Sequence, residues 1–98
     1  MKTLQCPLVH LNGTGKEQLL SDLQKVGSSL RKSLEALSEA APNQRDYYPM
    51  GDEAWRRARK QHEERVRILR VLHEEVALVA EGIMDGATEM VMSEKDIG

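Results

Sequence analysis

Apolar residues recur every three or four positions in two long segments, and this spacing constrains the fold more than any other feature. The first set is Leu19, Leu23, Val26, Leu30, Leu34, Leu37 and Ala41. The second set is Trp55, Ala58, His62, Val66, Leu69, Leu72 or His73, Val76, Val79 or Ala80, and Ile83. A period near 3.5 residues places one apolar stripe along each of two helices. We therefore predict an all-α fold built on a long antiparallel helical hairpin.

End signals divide the chain, taken as one helical domain over 1–98, into five parts. Thr14 and Glu17 match a capping box at the start of the first helix, and Asp52 is a suitable N-cap for the second. Pro42 disfavours helical geometry in the residue before it. The predicted parts are an irregular arm (1–13), helix 1 (14–41), a loop (42–51), helix 2 (52–82) and a tail (83–98). The arm is either a packed segment or a short strand, and the tail is either a flap on the bundle or a frayed end.

Two helices alone leave half of each stripe uncovered, which is too little for a proper core. We therefore predict self-association, most simply a dimer whose helices form an antiparallel bundle. The second stripe is broadest over 68–79, and we place the contact there. Gly27 interrupts the first helix at a cost of about 1 kcal/mol against alanine. It predicts the close approach of another backbone.

Sequence patterns for catalysis, metal binding and membrane insertion are missing. The sequence has no phosphate-binding glycine loop, dinucleotide fingerprint or zinc pattern. Its three histidines have no i, i+4 partner among themselves. No apolar run approaches the roughly 20 residues of a membrane span, and no secretory signal is evident. We therefore expect no enzyme activity, metal, cofactor or membrane partner.

The single cysteine, Cys6, cannot form an internal disulfide. A reducing cytosol is the simplest compartment for such a chain, so we predict a cytoplasmic protein. No cluster of metal-binding or catalytic residues accompanies this thiol in the sequence. We expect Cys6 to act as a small hydrophobic residue that is buried or half-buried.

The net charge of −2 hides a strong local asymmetry. Residues 56–70 contain seven positive and two negative side chains, a net charge of +5, so the rest of the chain carries −7. A local basic surface favours an anionic partner. The acidic remainder argues against a general nucleic-acid binder, which is usually basic overall.

The loop before this basic window is unusual in composition. The segment APNQRDYYPMGDEAW holds every Tyr and Trp of a chain that has no Phe. Pro42 and Pro49 fix the backbone φ angle at two points, and a stiff loop loses little entropy on binding. Its chemistry suits a nucleotide-like ligand.

The candidate ligand-binding residues are Asn43, Arg45, Asp46, Tyr47, Tyr48, Arg56, Arg59 and Lys60. In this interpretation the tyrosines stack on a base, and the arginines hold phosphate oxygens bidentately. Asn43 and Asp46 take ribose hydroxyls or base edges, and Lys60 lies one helical turn from Arg56. The same segment also has a plainer interpretation as a rigid connector, in which its aromatic rings lock the loop onto the helices.

The pattern LNGT near the start, followed by a leucine-striped helix and APNxRDYYPxG, resembles a family of small, mostly uncharacterised proteins of tailed phages and prophages. The matching pieces are residues 11–14 and 41–51, and the resemblance covers about residues 11–75. By analogy in size and side-chain chemistry, the chain is also similar to phage nucleotide-signal sponges of the Sequestin and Lockin types, which inhibit Thoeris defence. Those proteins are compact, oligomeric and non-catalytic.

These resemblances imply a phage-type binding protein in the cytoplasm of a bacterial host. It would sequester a small anionic nucleotide immune signal, for example a cyclic ADP-ribose isomer, without turning it over. The alternative function is a helical adaptor or inhibitor. It would bind a host or phage protein through the basic face and the 68–79 stripe.

Overall fold

The computed structural model describes residues 1–97 of the chain. Its elements in chain order are β1 (Lys2–Gln5), α1 (Lys16–Glu39), α2 (Gln44–Tyr47), a 3-10 turn (Tyr48–Met50), α3 (Asp52–Asp85), β2 (Glu89–Met92) and α4 (Glu94–Ile97). The structure is therefore mostly helical and contains the predicted long helix pair, but it is not all-α. The arm contains a strand, and so does the tail, whose last residue, Gly98, lies outside the described residues.

Both predicted N-caps are wrong by one residue. α1 is capped by Gly15, so Thr14 lies before the cap and Glu17 is the second helical residue, one short of the capping-box position. α3 is preceded by Gly51 with φ 95°, which makes Asp52 the first helical residue. The two long helices, α1 and α3, therefore each begin directly after a glycine, and neither glycine cap forms a side-chain hydrogen bond.

The helix ends differ from the predicted bounds by two or three residues. α1 ends at Glu39, and the Ala40 amide donates to the Ala36 carbonyl at 3.1 Å. α3 continues three residues past position 82 and ends at Asp85, and the next residue, Gly86, has a φ of 72°. The Ala87 amide donates to the Gly82 carbonyl at 2.8 Å, the bond of a Schellman motif, which needs a left-handed residue at this place.

α1 and α3 run antiparallel as a thin pair. The Lys16 ammonium at the start of α1 donates to the Met84 carbonyl near the end of α3 at 3.2 Å. α1 has no buried residue, and the leucines of its stripe are only half-buried. The described residues extend over 62 × 26 × 15 Å, with a radius of gyration of 18.1 Å against about 13 Å for a compact domain of this length. The pair is thus one helix layer thick, and much of each stripe has no cover.

The small core lies at one end of the helix pair, where a two-stranded sheet packs on α3. β1 and β2 are antiparallel, with Lys2 opposite Met92 and Gln5 opposite Glu89. The buried apolar side chains are those of Leu4, Cys6, Ile83 and Met92. Cys6 is 2 % exposed, so its prediction as a small buried hydrophobic residue is confirmed.

Candidate ligand-binding site

The loop between α1 and α3 has more local structure than its sequence suggests. Asn43 caps α2, because its side-chain oxygen accepts from the Arg45 amide at 3.1 Å. The Asp46 amide also donates to the Asn43 carbonyl at 3.0 Å. Asn43 therefore stabilises the start of α2. Together, α2 and the 3-10 turn define the conformation of the loop up to the start of α3.

Tyr47 anchors this loop on α3. Its ring lies 6.2 Å from that of Trp55 between centroids, with the planes inclined by 45°, and both residues are half-buried. Such a tilted pair contributes about 0.5–1.5 kcal/mol beyond the burial of its area. Tyr48, in contrast, is 81 % exposed. The two tyrosines are thus in different environments, and Tyr47 performs part of the connector role.

A pocket of about 280 Å³ lies beside this anchor. Its lining residues are Pro42, Tyr47, Met50, Ala54, Arg57, Ala58, Gln61 and Arg65. On one helix, residues four apart lie on the same side, so Arg57, Gln61 and Arg65 form one column along α3. The pocket therefore combines an aromatic residue, an amide and two guanidinium groups.

Of the eight predicted residues, only Tyr47 lines the pocket. The other seven are exposed outside it, and they are Asn43, Arg45, Asp46, Tyr48, Arg56, Arg59 and Lys60. Arg56 and Lys60 share a side of α3 as predicted, but each is one residue out of step with the column that meets the loop. The sequence signal for Arg57 and Arg65 is their helical spacing from Ala54 and Ala58, because these two small residues lie on the side of α3 that the loop covers.

The charged partners of the basic window separate the arginines into two groups. Arg67 is bound to Glu64 at 2.7 and 3.0 Å, and Arg59 lies 3.9 Å from Glu63 while its guanidinium is 5.9 Å from the Trp55 ring centroid. The acidic residues 63 and 64 thus form the ion pairs expected of a solvated helix face. Within residues 1–97, Arg57 and Arg65 form no ion pair.

The hydrogen bond from Arg67 lowers the pKa of Glu64, and the Glu64 carboxylate raises the pKa of Arg67. Neither residue lines the loop pocket, and the pair is an i, i+3 ion pair on the solvent side of α3. Arg57 and Arg65 are the two cations that line the pocket.

Among the described residues no group of His, Cys, Asp and Glu side chains is arranged to hold a metal ion. None of the helices in that same part of the chain is long and apolar enough to cross a membrane. The Tyr47 ring, the Gln61 amide and the two guanidinium groups that line the pocket are groups able to contact a flat, anionic molecule.

A second and larger concavity, which we call the helix groove, lies between α1 and the second half of α3. Its volume is about 670 Å³, and its lining includes Leu23, Gly27, Val76, Ala77 and Ala80. It shares no residue with the loop pocket. The larger cavity thus lies away from the aromatic and basic loop.

Comparisons of the chain with protein-family models, with curated proteins and with solved structures found no match.

Proposed function

We propose that this protein is a non-catalytic, phage-type binding protein that sequesters a small anionic nucleotide signal. Counteraction of a nucleotide-based defence in the cytoplasm of a bacterial host would follow from such binding. The observation that carries the proposal is the loop pocket, where the Tyr47 ring lies beside two arginines that have no ion-pair partner in residues 1–97.

The side chains suit the parts of a nucleotide. The aromatic residue offers a stacking face for a base. Arg57 and Arg65 offer guanidinium forks for phosphate oxygens, and Gln61 between them offers an amide donor and acceptor. A carboxylate would repel a phosphate, and none lines the pocket.

The size of the pocket bounds the ligand. A volume of about 280 Å³ is just below the range of roughly 300–1,000 Å³ that is usual for small-molecule sites. It suits a mononucleotide or one half of a dinucleotide. A cyclic ADP-ribose isomer would extend beyond it, and the exposed Tyr48 ring next to it on the loop offers a second stacking surface.

Isothermal titration of the purified protein against a panel of mononucleotides, cyclic dinucleotides and cyclic ADP-ribose isomers tests this proposal. We expect saturable binding without turnover of the ligand. In the double variant Arg57→Ala with Arg65→Ala we expect affinity to fall at least 100-fold, since a hydrogen bond to a charged group contributes about 1.5–3 kcal/mol.

The matched control is Arg56→Ala with Lys60→Ala, which removes the same charge from the same helix outside the pocket. We expect this control to retain affinity within about threefold. Flat titrations across the panel, or equal losses in the two double variants, would refute the loop pocket as a nucleotide site.

The second candidate is a helical adaptor that binds a host or phage protein. The exposure of Ile68 at 53 % and Leu72 at 44 % favours it, because both belong to the broad stripe of α3. Pull-down from host lysate with wild type and with Ile68→Glu plus Leu72→Glu tests this alternative. Capture of one protein by wild type alone, with no nucleotide released from heat-denatured protein, would replace the sponge by the adaptor.

A further inference from the structure

The helix groove contains Gly27, although no neighbouring atom of the described chain prevents a larger residue there. A Cβ atom added at Gly27 would meet nothing within 4 Å among the described residues, and glycine inside a helix costs about 1 kcal/mol against alanine. At Gly82, by comparison, an added Cβ atom would lie 2.6 Å from the Cys6 sulfur, so a side chain there forces its neighbours to shift. The close backbone approach predicted for Gly27 is therefore not supplied by any described part of its own chain.

The walls of the groove suit an approaching helix. Ala77 and Ala80 lie on the α3 side, and Leu20 and Leu23 lie on the α1 side. Small residues allow two helices to approach to the short end of the 8–10 Å range of interaxial distances. The apolar neighbours supply the area to be buried.

We infer that a second copy of this chain packs into the helix groove, forming a two-fold dimer with four long helices around one core. In a two-fold interface the same patch is used by both copies. With the two-fold axis crossing the groove perpendicular to the helices near Gly27, the two copies run antiparallel to each other. Each copy then covers the stripe that the other leaves open.

The charges at the two ends of the groove favour this arrangement. Arg31 lies one turn beyond Gly27 at one end, and Glu81 lies one turn beyond Ala77 at the other. Both are exposed, and neither forms an ion pair within residues 1–97. The two-fold axis brings Arg31 of one copy to the Glu81 end of the groove of the other, twice per dimer.

The size of the face also fits. The structure is 26 Å wide and 15 Å thick, and the 24 residues of α1 extend for about 36 Å. The product of these two lengths, roughly 900 Å², is an upper bound on the area of this face, against about 800 Å² that each partner buries in a standard stable interface. A second layer of helices gives the thin pair the core that it lacks alone.

Sedimentation equilibrium of the wild-type chain and of charge-reversal variants tests the dimer. We expect wild type to have twice the 11.1 kDa mass of one chain. Arg31→Glu and Glu81→Arg should each raise the dissociation constant at least tenfold, and the two changes together should restore it to within about threefold of wild type. Both side chains are exposed, so circular dichroism should be unchanged.

A steric variant adds an independent measurement. Gly27→Leu fills the groove and should give a helical monomer. Ile68→Glu should remain dimeric, because Ile68 does not line the groove, although it belongs to the 68–79 stripe where the sequence alone placed the contact. A monomeric wild type at 100 µM, failure of the double charge reversal to restore association, or a dimer abolished by Ile68→Glu and kept by Gly27→Leu would each overturn the inference.

Discussion

Gly82 lies on the side of α3 that packs against the sheet. Its replacement by alanine tests this packing. A Cβ at this position would lie 2.6 Å from the Cys6 sulfur and 2.8 Å from Cγ of Met90. Cys6 is buried and short, so it cannot swing away as the end of a long side chain can. Gly82→Ala therefore has to push the two strands away from the helix.

The magnitude follows from two opposing terms. The Cβ–sulfur separation must grow from 2.6 Å to at least the 3.4 Å of ordinary contact, and overpacking of this kind costs about 2–3 kcal/mol. Alanine in place of glycine returns about 1 kcal/mol of helix propensity. We expect a net loss of about 1–2 kcal/mol, which lowers Tm by about 5–15 °C for a chain of this size.

Gly27→Ala is the matched control, because it is the same change inside the other long helix with nothing within 4 Å. Both variants are best made in the Arg31→Glu background and measured at low protein concentration, so that association contributes little. The control should gain about 1 kcal/mol and raise Tm by about 4–8 °C. Cys6 is the chain's only cysteine, so thiol labelling reports the sheet directly and should be faster in Gly82→Ala alone.

Two results would contradict this reasoning. Equal Tm gains in the two variants would show that the strands do not pack on Gly82. A Tm loss in Gly82→Ala without faster labelling of Cys6 would show that the helix, and not the sheet, absorbs the added methyl group.

Two further predictions concern the core and the charged face. Met92→Ala removes a fully buried side chain and should cost about 2–4 kcal/mol in urea unfolding, with an unchanged midpoint contradicting the position of β2. The pKa of Glu64 is lowered in the fold by Arg67, so its stabilising effect is present above the ordinary glutamate pKa and is lost as pH falls through the lowered value. Glu64→Gln should remove this small acid dependence of the urea midpoint, whereas Glu63→Gln should retain it.

The helix pair was predictable because its signal is local and repeated. Each stripe recurs over six or more turns, so a misplaced residue such as Gly27 does not hide it. The exact start of each helix was not predictable in the same way. Thr14 and Asp52 are both good caps by chemistry, yet the chain path selects Gly15 and Gly51 beside them.

The sheet was beyond a local reading of the sequence. Each strand has only four residues, which is too short for a clear two-residue period, and the partner strand is almost the whole chain away. From the sequence alone, the arm was either a packed segment or a short strand, and the tail was either a flap on the bundle or a frayed end. Only the pairing of the two segments with each other decides between them.

The pocket arginines were missed for a geometric reason. Sequence proximity to the loop favoured Arg56 and Arg59, but the rotation of α3 against α1 decides which side meets Tyr47. Arg57 and Arg65 follow Ala54 and Ala58 at helical spacing, and that relation was already present in the sequence. Counting three positions from Ala54 and seven positions from Ala58 selects these two arginines.

The pairing of β1 with β2 also sets an order of folding. Joining Leu4 to Met90 directly from the unfolded chain closes a loop of nearly the full described length, at an entropic cost of about 4 kcal/mol. Once α1 and α3 are antiparallel, Lys16 and Met84 are already in contact, and only short connections remain to be closed. We therefore expect the helices to pair first and the strands to join last, with the strands the first to open when the protein unfolds.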